Sequence, residues 1–198
     1  MHDEYSSVEP RIDYGAGGFA PHIDAVAYTH VKMIKHLTIL LAVDHSNMSN
    51  GCLEVVSGSH EMQLPIRESD HCLEYDWVDK QTWTPVELEA GSLIPLISFQ
   101  LCLTIYLTGQ LLIFGSYLAH RSAANSSDVD RKALYATYNR VCEGDLRKAY
   151  YEDRKKLWPA THMRKDGEDY AEGSLRYGFG SPMLSIETGQ QMIFMGEK

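Results

Sequence analysis

The sequence predicts a mostly β domain, built as a sandwich or barrel of short strands. Many short segments carry β-branched and aliphatic side chains, and several alternate strictly between apolar and polar residues. Gly, Asn and Ser separate these segments, and only one stretch favours a helix. At 198 residues, the chain has the length of one domain with a sizeable core.

The first clear strands flank a turn. Residues 36–45, "HLTILLAVDH", have the aliphatic centre that is typical of a buried strand. Residues 46–51, "SNMSNG", supply turn-forming side chains, and the alternating segment "CLEVVSGSH" follows at 52–60. Because the turn lies directly between the two segments, the sequence predicts a hairpin-type pair.

Three later segments also predict strands. Residues 84–91 and 132–141 alternate with a period of two, and residues 110–122, "QLLIFGSYLAHRS", read as another apolar strand. A helix is predicted over 144–158, where it ends before Pro159. The tail that follows is rich in Gly and polar residues and is interpreted as loop.

Composition excludes several classes of partner. The formal net charge of -9 argues against nucleic acid and against an anionic membrane, because both require clustered Lys and Arg. The beginning of the chain lacks the basic flank and apolar core of a secretory signal, so we expect a cytoplasmic protein. The cysteines lie far apart without a C-x-x-C spacing, which indicates reduced thiols. They are Cys52, Cys72, Cys102 and Cys142.

Two histidines and one aspartate mark a candidate metal site. His22 and Asp24 lie two residues apart in "FAPHIDAVAY", so on a strand they would share one face. His120 ends an apolar segment, and Arg131 follows eleven residues later at the start of the next strand. Two imidazoles and one carboxylate form the facial triad that holds Fe(II) and leaves positions open. An arginine one strand away can bind the far carboxylate of a dicarboxylic co-substrate in bidentate fashion.

At these residues the chain resembles the phytanoyl-CoA dioxygenase family of Fe(II)/2-oxoglutarate oxygenases. The matching segments are "GGFAPHIDAVAY", "HLTILLAVDHSNMSNGCLEVVSGSH" and "LLIFGSYLAHRSAANSSDVDRKALYATYN". The resemblance implies a double-stranded β-helix, or cupin-like jelly roll, that is incomplete at the N-terminus and carries a short C-terminal helical segment. It implies iron ligands at His22, Asp24 and His120. It also implies co-substrate contacts at Arg131, Ser122 and Thr38.

The activity that the resemblance implies is hydroxylation of a small organic molecule. Fe(II), 2-oxoglutarate and O₂ would be required, and succinate and CO₂ would be the co-products. Among family members, those that act on small polar compounds such as aminoalkyl phosphonates look most similar, and enzymes of fungal secondary metabolism are an alternative. The alternative from another class is a catalytically inactive jelly-roll fragment or binding protein that retains the metal motif.

Other histidines and tyrosines have simpler interpretations. His60 is expected to cap the end of a strand through hydrogen bonds. Surface or strand positions are expected for His30, His36, His45 and His71. Core packing is expected for Tyr135 and Tyr138.

The segment between Glu89 and His120 contains thirty uncharged residues. A membrane span of about 20 residues would fit in it, but Pro95 and the glycines disfavour one continuous helix. Removing residues 92–109 restores an unbroken family pattern, so we interpret these residues as an insertion from a retained intron or an error in gene prediction. A genuine extra strand or hairpin is the alternative.

The domain organisation expected from these patterns is one partial oxygenase domain over 1–198. In this chain, far fewer residues precede the H-x-D motif at His22 than is usual in the family that it resembles. We therefore expect a chain truncated at the N-terminus, with part of the larger sheet and of the active-site wall missing. The oligomeric state stays open.

Overall fold

The computed structural model describes residues 5–6, 18–28, 36–90 and 111–178. In these residues the fold is mostly β, with two antiparallel sheets of four strands each. The strands are β1 (Tyr5–Ser6), β2 (Phe19–His22), β3 (Leu37–Ala42), β4 (Leu53–Val55), β5 (Thr84–Val86), β6 (Leu111–Gly115), β7 (His120–Ser122) and β8 (Ala133–Tyr138). The α-helices are α1 (Tyr75–Val78), α2 (Arg147–Leu157) and α3 (Ala171–Tyr177).

The first sheet has the order β1–β8–β3–β6, and the second has the order β2–β7–β4–β5. All pairings are antiparallel. The apolar side chains of the two sheets meet in one core, as expected for packed sheets with alternating inward residues. That core contains Leu40, Ala42, Leu53, Val55, Val86, Leu88, Leu112, Phe114 and Leu118.

The predicted hairpin of 36–45 with 52–60 is wrong. Strand β3 pairs with β6 and β8, whereas β4 pairs with β5 and β7 in the other sheet. Between them, Asn47 caps a 3₁₀ turn, and Gly51 ends that turn in the left-handed conformation. The turn residues therefore lead the chain from one sheet to the other, which lets both strands bury their apolar faces in the common core.

The single strand predicted over 110–122 is in fact two strands. A turn in which the N–H of Leu118 donates to the carbonyl of Gly115 separates β6 from β7. Strand β6 belongs to the first sheet and β7 to the second. This crossing brings His120 within ring contact of Phe114, with centroids 5.2 Å apart.

The helical part of the chain lies after β8. Helix α2 falls inside the predicted 144–158 segment, but the tail is not all loop, because α3 follows it. Arg176 of α3 donates to the Asp153 carboxylate of α2 at 2.9 Å, and the Tyr177 hydroxyl donates to the same carboxylate at 2.6 Å. The two helices are thereby joined, and α3 also contacts the 3₁₀ turn that follows β2.

Among the described residues, no helix has the length and apolar character needed to cross a membrane. The cysteines in this part of the chain, Cys52, Cys72 and Cys142, form no disulfide bond with one another.

A pair of glycine variants tests the crossover turn. Gly51 has φ 78°, and a Cβ atom there would lie 2.3 Å from the carbonyl oxygen of Ala123, just after β7. Gly58 has nearly the same φ, 76°, but its Cβ would meet no described atom within 4 Å. Gly58→Ala should therefore cost only the left-handed backbone penalty of about 1–2 kcal/mol. Gly51→Ala should cost at least about 1 kcal/mol more, because the clash adds to that penalty. Urea unfolding measures both, and equal losses would contradict the close approach of the turn to Ala123.

The proposed insertion, residues 92–109, lies outside the described residues. Its described neighbours are β5, at the edge of the second sheet, and β6, at the edge of the first sheet. A connection between two edge strands can lengthen at a small entropic cost of roughly 0.6 kcal/mol per doubling. Deletion of 92–109 should therefore leave metal binding unchanged and improve solubility. Measuring the bound metal and the soluble yield checks this, and a deletion that unfolds the domain would show that the segment is integral.

Candidate metal centre

The structure brings His22, Asp24 and His120 together between the two sheets. His22 ends β2, His120 begins β7, and the two are direct partners in the ladder. Asp24 begins a 3₁₀ turn that follows β2, so its carboxylate turns back toward both rings. One ligand atom from each residue lies within 4.8 Å of the other two. His22 Nε2 and His120 Nε2 lie 3.8 Å and 3.4 Å from Asp24 Oδ1.

Backbone contacts fix the tautomer of both histidines. Nδ1 of His22 lies 2.6 Å from the carbonyl oxygen of Ala20, and Nδ1 of His120 lies 2.9 Å from that of Leu118. A carbonyl can only accept, so each Nδ1 carries a proton and donates it. Each Nε2 therefore presents its lone pair to the cluster when the ring is neutral, as in metal-binding histidines held by an outer hydrogen bond.

Thr38 of β3 orients the carboxylate from the opposite sheet. Its hydroxyl donates to Asp24 Oδ2 at 3.3 Å, which leaves Oδ1 facing the two imidazoles. Thr38 is buried, with 2% of its surface exposed. The structure thus places Thr38 against a candidate ligand, and its predicted contact with a co-substrate stays a prediction.

The electrostatics of the cluster suit a cation. Burial first, and then the charge of the neighbouring His120, lower the pKa of His22 to about 4. Burial disfavours the charge on Asp24, but the charges of both histidines and the hydrogen bonds from His120 and Thr38 together lower the pKa of Asp24. Burial also disfavours protonation of His120, yet Asp24 raises its pKa. A divalent ion could take the place of the proton that Asp24 and His120 hold between them.

Ser122 and Arg131, the other two residues expected to contact the co-substrate, are buried and half-buried. Ser122 is buried on β7, two residues after His120. Arg131 precedes β8, and its Nε is buried without a hydrogen-bond partner among the described residues. Burial raises the pKa of Tyr135 to about 12, against the opposing charge of Arg131, while the charge of Asp24 adds to the rise. The charges of Arg131 and of Asp24 in the candidate metal site therefore both act on Tyr135.

Tyr135 also packs against the core between the sheets, which confirms the packing expected for it. Its cross-strand partner on β3 is Leu40, which also pairs with Leu112 on β6. Leu40 lies two residues after Thr38, on the same face of β3.

Other histidines lie apart from the cluster. His60 is in a 3₁₀ turn, and its Nε2 lies 3.7 Å from Glu61, but its Nδ1 has no partner among the described residues. The capping expected of His60 stays a prediction, whereas the neighbouring Ser59 accepts a hydrogen bond from the N–H of Ala119 at 2.8 Å. His45 is on the surface, where it pairs with Glu89.

Half-buried positions are found for His36 and His71, and His30 lies outside the described residues. Sequence reasoning missed the contact of His36 with Tyr28, because the 3₁₀ turn that presents Tyr28 has no local signal.

The fold and the cluster define a mostly β protein of two antiparallel sheets, with two histidines and one aspartate gathered between them. The chain belongs to the phytanoyl-CoA dioxygenase (PhyH) family, whose profile matches residues 1–98. The matched part contains His22 and Asp24, and His120 lies beyond it.

Two relatives match the chain beyond residue 98. The 2-aminoethylphosphonate dioxygenase of an uncultured bacterium, HF130_AEPn_1, is 34% identical over 169 residues, which are 85% of this chain and 58% of the relative. The methylphosphonate hydroxylase of Gimesia maris is 33% identical over 149 residues, which are 74% of this chain and 50% of the relative. The chain thus spans about half the length of the relatives that it matches.

A solved structure supports the fold. EctD from S. alaskensis, determined with 2-oxoglutarate and 5-hydroxyectoine, aligns with a TM-score of 0.50 over 71% of this chain and 43% of its own. The two sequences are 17% identical, so the likeness concerns the fold alone.

Proposed function

We propose that this chain is an Fe(II)- and 2-oxoglutarate-dependent dioxygenase that hydroxylates a small organophosphonate. The observation that carries the proposal is the convergence of His22, Asp24 and His120. Both imidazoles are held with Nδ1 protonated, so that the Nε2 lone pair faces the cluster when the ring is neutral. Two neutral imidazoles and one carboxylate are the ligand set that non-haem Fe(II) oxygenases use, with positions left for a co-substrate and O₂. The two packed sheets would correspond to a jelly roll around that site.

The residues present fit the cofactor and the co-substrate. His22, Asp24 and His120 would bind Fe(II), and Thr38 would hold the Asp24 carboxylate in its ligating orientation. Arg131, whose buried Nε lacks a described partner, would bind the far carboxylate of 2-oxoglutarate, assisted by Ser122. When bound, Fe(II) with 2-oxoglutarate and O₂ supplies the oxidising power for hydroxylation, with succinate and CO₂ as co-products.

The relatives support the proposed substrate class. Two proteins that are at least 33% identical carry the names of enzymes acting on 2-aminoethylphosphonate and methylphosphonate. Both substrates are short, polar and anionic. A small organophosphonate is therefore the first candidate for this chain.

Succinate formation tests the proposal. The purified chain, loaded with Fe(II) under anaerobic conditions, is mixed with 2-oxoglutarate, O₂ and either 2-aminoethylphosphonate or methylphosphonate. We expect succinate in excess of the substrate-free control, and a hydroxylated phosphonate in equal amount. A chain that binds Fe(II) and 2-oxoglutarate but forms neither product would be the binding protein considered from the sequence. A chain that binds no Fe(II) would refute the assignment of the metal centre.

A further inference from the structure

His36 lies on the side of the cluster opposite Arg131. On β3 and β8, Thr38 pairs with Thr137 beside Asp24, and Ala42 pairs with Ala133 toward the Arg131 end. His36 directly precedes β3 at the other end. If Arg131 binds the co-substrate, the region near His36 is left for the substrate.

The position of His36 is well defined by its backbone and ring contacts. Its N–H donates to the Ser116 hydroxyl at 3.2 Å, and the N–H of Ser116 donates to the His36 carbonyl at 3.1 Å. Its ring packs on Tyr28 with centroids 4.1 Å apart. Nδ1 of His36 is nevertheless buried without a hydrogen-bond partner among the described residues. Because an unmatched buried polar atom is costly, this nitrogen is suited to meet a ligand.

The charges that act on this ring are both acidic. Burial lowers the pKa of His36, and the carboxylates of Glu143 and Asp24 oppose that shift. The lowered pKa keeps the imidazole neutral near pH 7, so one of its nitrogens can accept a hydrogen bond. A neutral acceptor in an acidic surrounding favours a cation over an anion.

The segment after β8 contains Glu143 and supports Tyr28, the two other groups that lie near His36. Glu143 is half-buried and accepts from the N–H of Arg140 at 3.1 Å, just before α2 begins. Tyr150 of α2 packs against Tyr28 with ring centroids 5.3 Å apart. Tyr28 thus lies between His36 and α2, where its ring can contribute a cation–π contact.

We infer that Tyr28, His36 and Glu143 form a subsite for the ammonium group of an aminoalkyl phosphonate. The ammonium would donate to His36 Nδ1, lie against the Tyr28 ring and be attracted by the Glu143 carboxylate. This inference rests on the proposed function and adds to it a preference for a substrate with a primary amine. It also gives α2 a role in specificity, since α2 supports Tyr28.

Calorimetry on the anaerobic Fe(II)/2-oxoglutarate complex tests the subsite by binding rather than by turnover. The probes are 2-aminoethylphosphonate and propylphosphonate, in which a methyl group replaces the ammonium. We expect the native chain to bind the amine at least about tenfold more tightly, as for one charge-assisted hydrogen bond. His36→Leu and Glu143→Gln should each reduce this ratio several-fold, whereas His36→Gln, which keeps an acceptor, should retain part of it.

His45→Leu is the matched control, because His45 is an exposed histidine paired with Glu89. It should leave the ratio unchanged. If the native chain binds neither phosphonate, the proposed substrate class and the subsite are both overturned. If it binds both probes equally, or if Glu143→Gln and a folded His36→Leu keep the native ratio, only the subsite is overturned. Should His36→Leu fail to fold, Glu143→Gln decides the question alone.

Discussion

Asp24→Ala should lose tight Fe(II) binding and, with it, succinate formation. Asp24 is the only carboxylate in the metal cluster found among the described residues, and its Oδ1 faces both imidazoles. Without it, two neutral imidazoles would remain with ring centroids 4.3 Å apart, and no negative charge would compensate the ion. We expect the Fe(II) affinity to fall by more than the roughly 10–100-fold that is typical of losing an outer-shell partner. Anaerobic Fe(II) titration measures this directly.

Thr38→Val provides the graded comparison for Asp24→Ala. It removes the hydroxyl that donates to Asp24 Oδ2 but keeps the shape of the side chain. Its loss of Fe(II) affinity should lie within the roughly 10–100-fold range of outer-shell changes. An Asp24→Ala protein that still bound one Fe(II) with native affinity would show that the cluster is not the metal site.

Arg131→Ala should weaken 2-oxoglutarate binding by roughly 100-fold while Fe(II) binding is kept, because a charge-assisted bidentate contact is lost. The buried Nε of Arg131 has no hydrogen-bond partner in the described part of the chain, so this N–H is left to donate to a ligand. Titration of 2-oxoglutarate into the Fe(II)-loaded protein measures the loss. Arg131→Lys should recover only part of the affinity, since an ammonium cannot reproduce the guanidinium fork.

Arg121→Ala is the matched control for Arg131→Ala. Arg121 makes two hydrogen bonds to Glu54, at 2.9 and 3.1 Å, and stacks on Trp83 at 4.3 Å. Its removal should lower the free energy of unfolding and leave 2-oxoglutarate affinity unchanged. If both variants lost stability and neither lost 2-oxoglutarate affinity, Arg131 would be a structural residue.

The candidate ligands could be predicted from the sequence, although part of the geometric reason was different. His22, Asp24 and His120 converge as expected. However, Asp24 does not share a strand face with His22, because β2 ends at His22 and a 3₁₀ turn begins at Asp24. The spacing of two residues brings the groups together through the turn. Residue type and proximity along the chain were therefore sufficient to identify this pair.

The local strand patterns were also sufficient to find β3, β4, β5 and β8, since the alternation of side chains is a property of neighbouring residues. Strand pairing was not predictable in the same way. The turn at 46–51 and the turn between β6 and β7 both change sheets, and only the packing of two apolar faces into one core decides that.

The surroundings of the cluster depended wholly on tertiary structure. Thr38 meets Asp24 because the two sheets pack face to face, and the contact spans 14 positions of sequence. Tyr28 meets Tyr150 because α2 packs back onto the turn after β2. By itself, the sequence determined which side chains are candidate metal ligands and which segments are strands, because those properties are local. The side chains that surround this cluster were decided by contacts between distant segments, which have no local pattern.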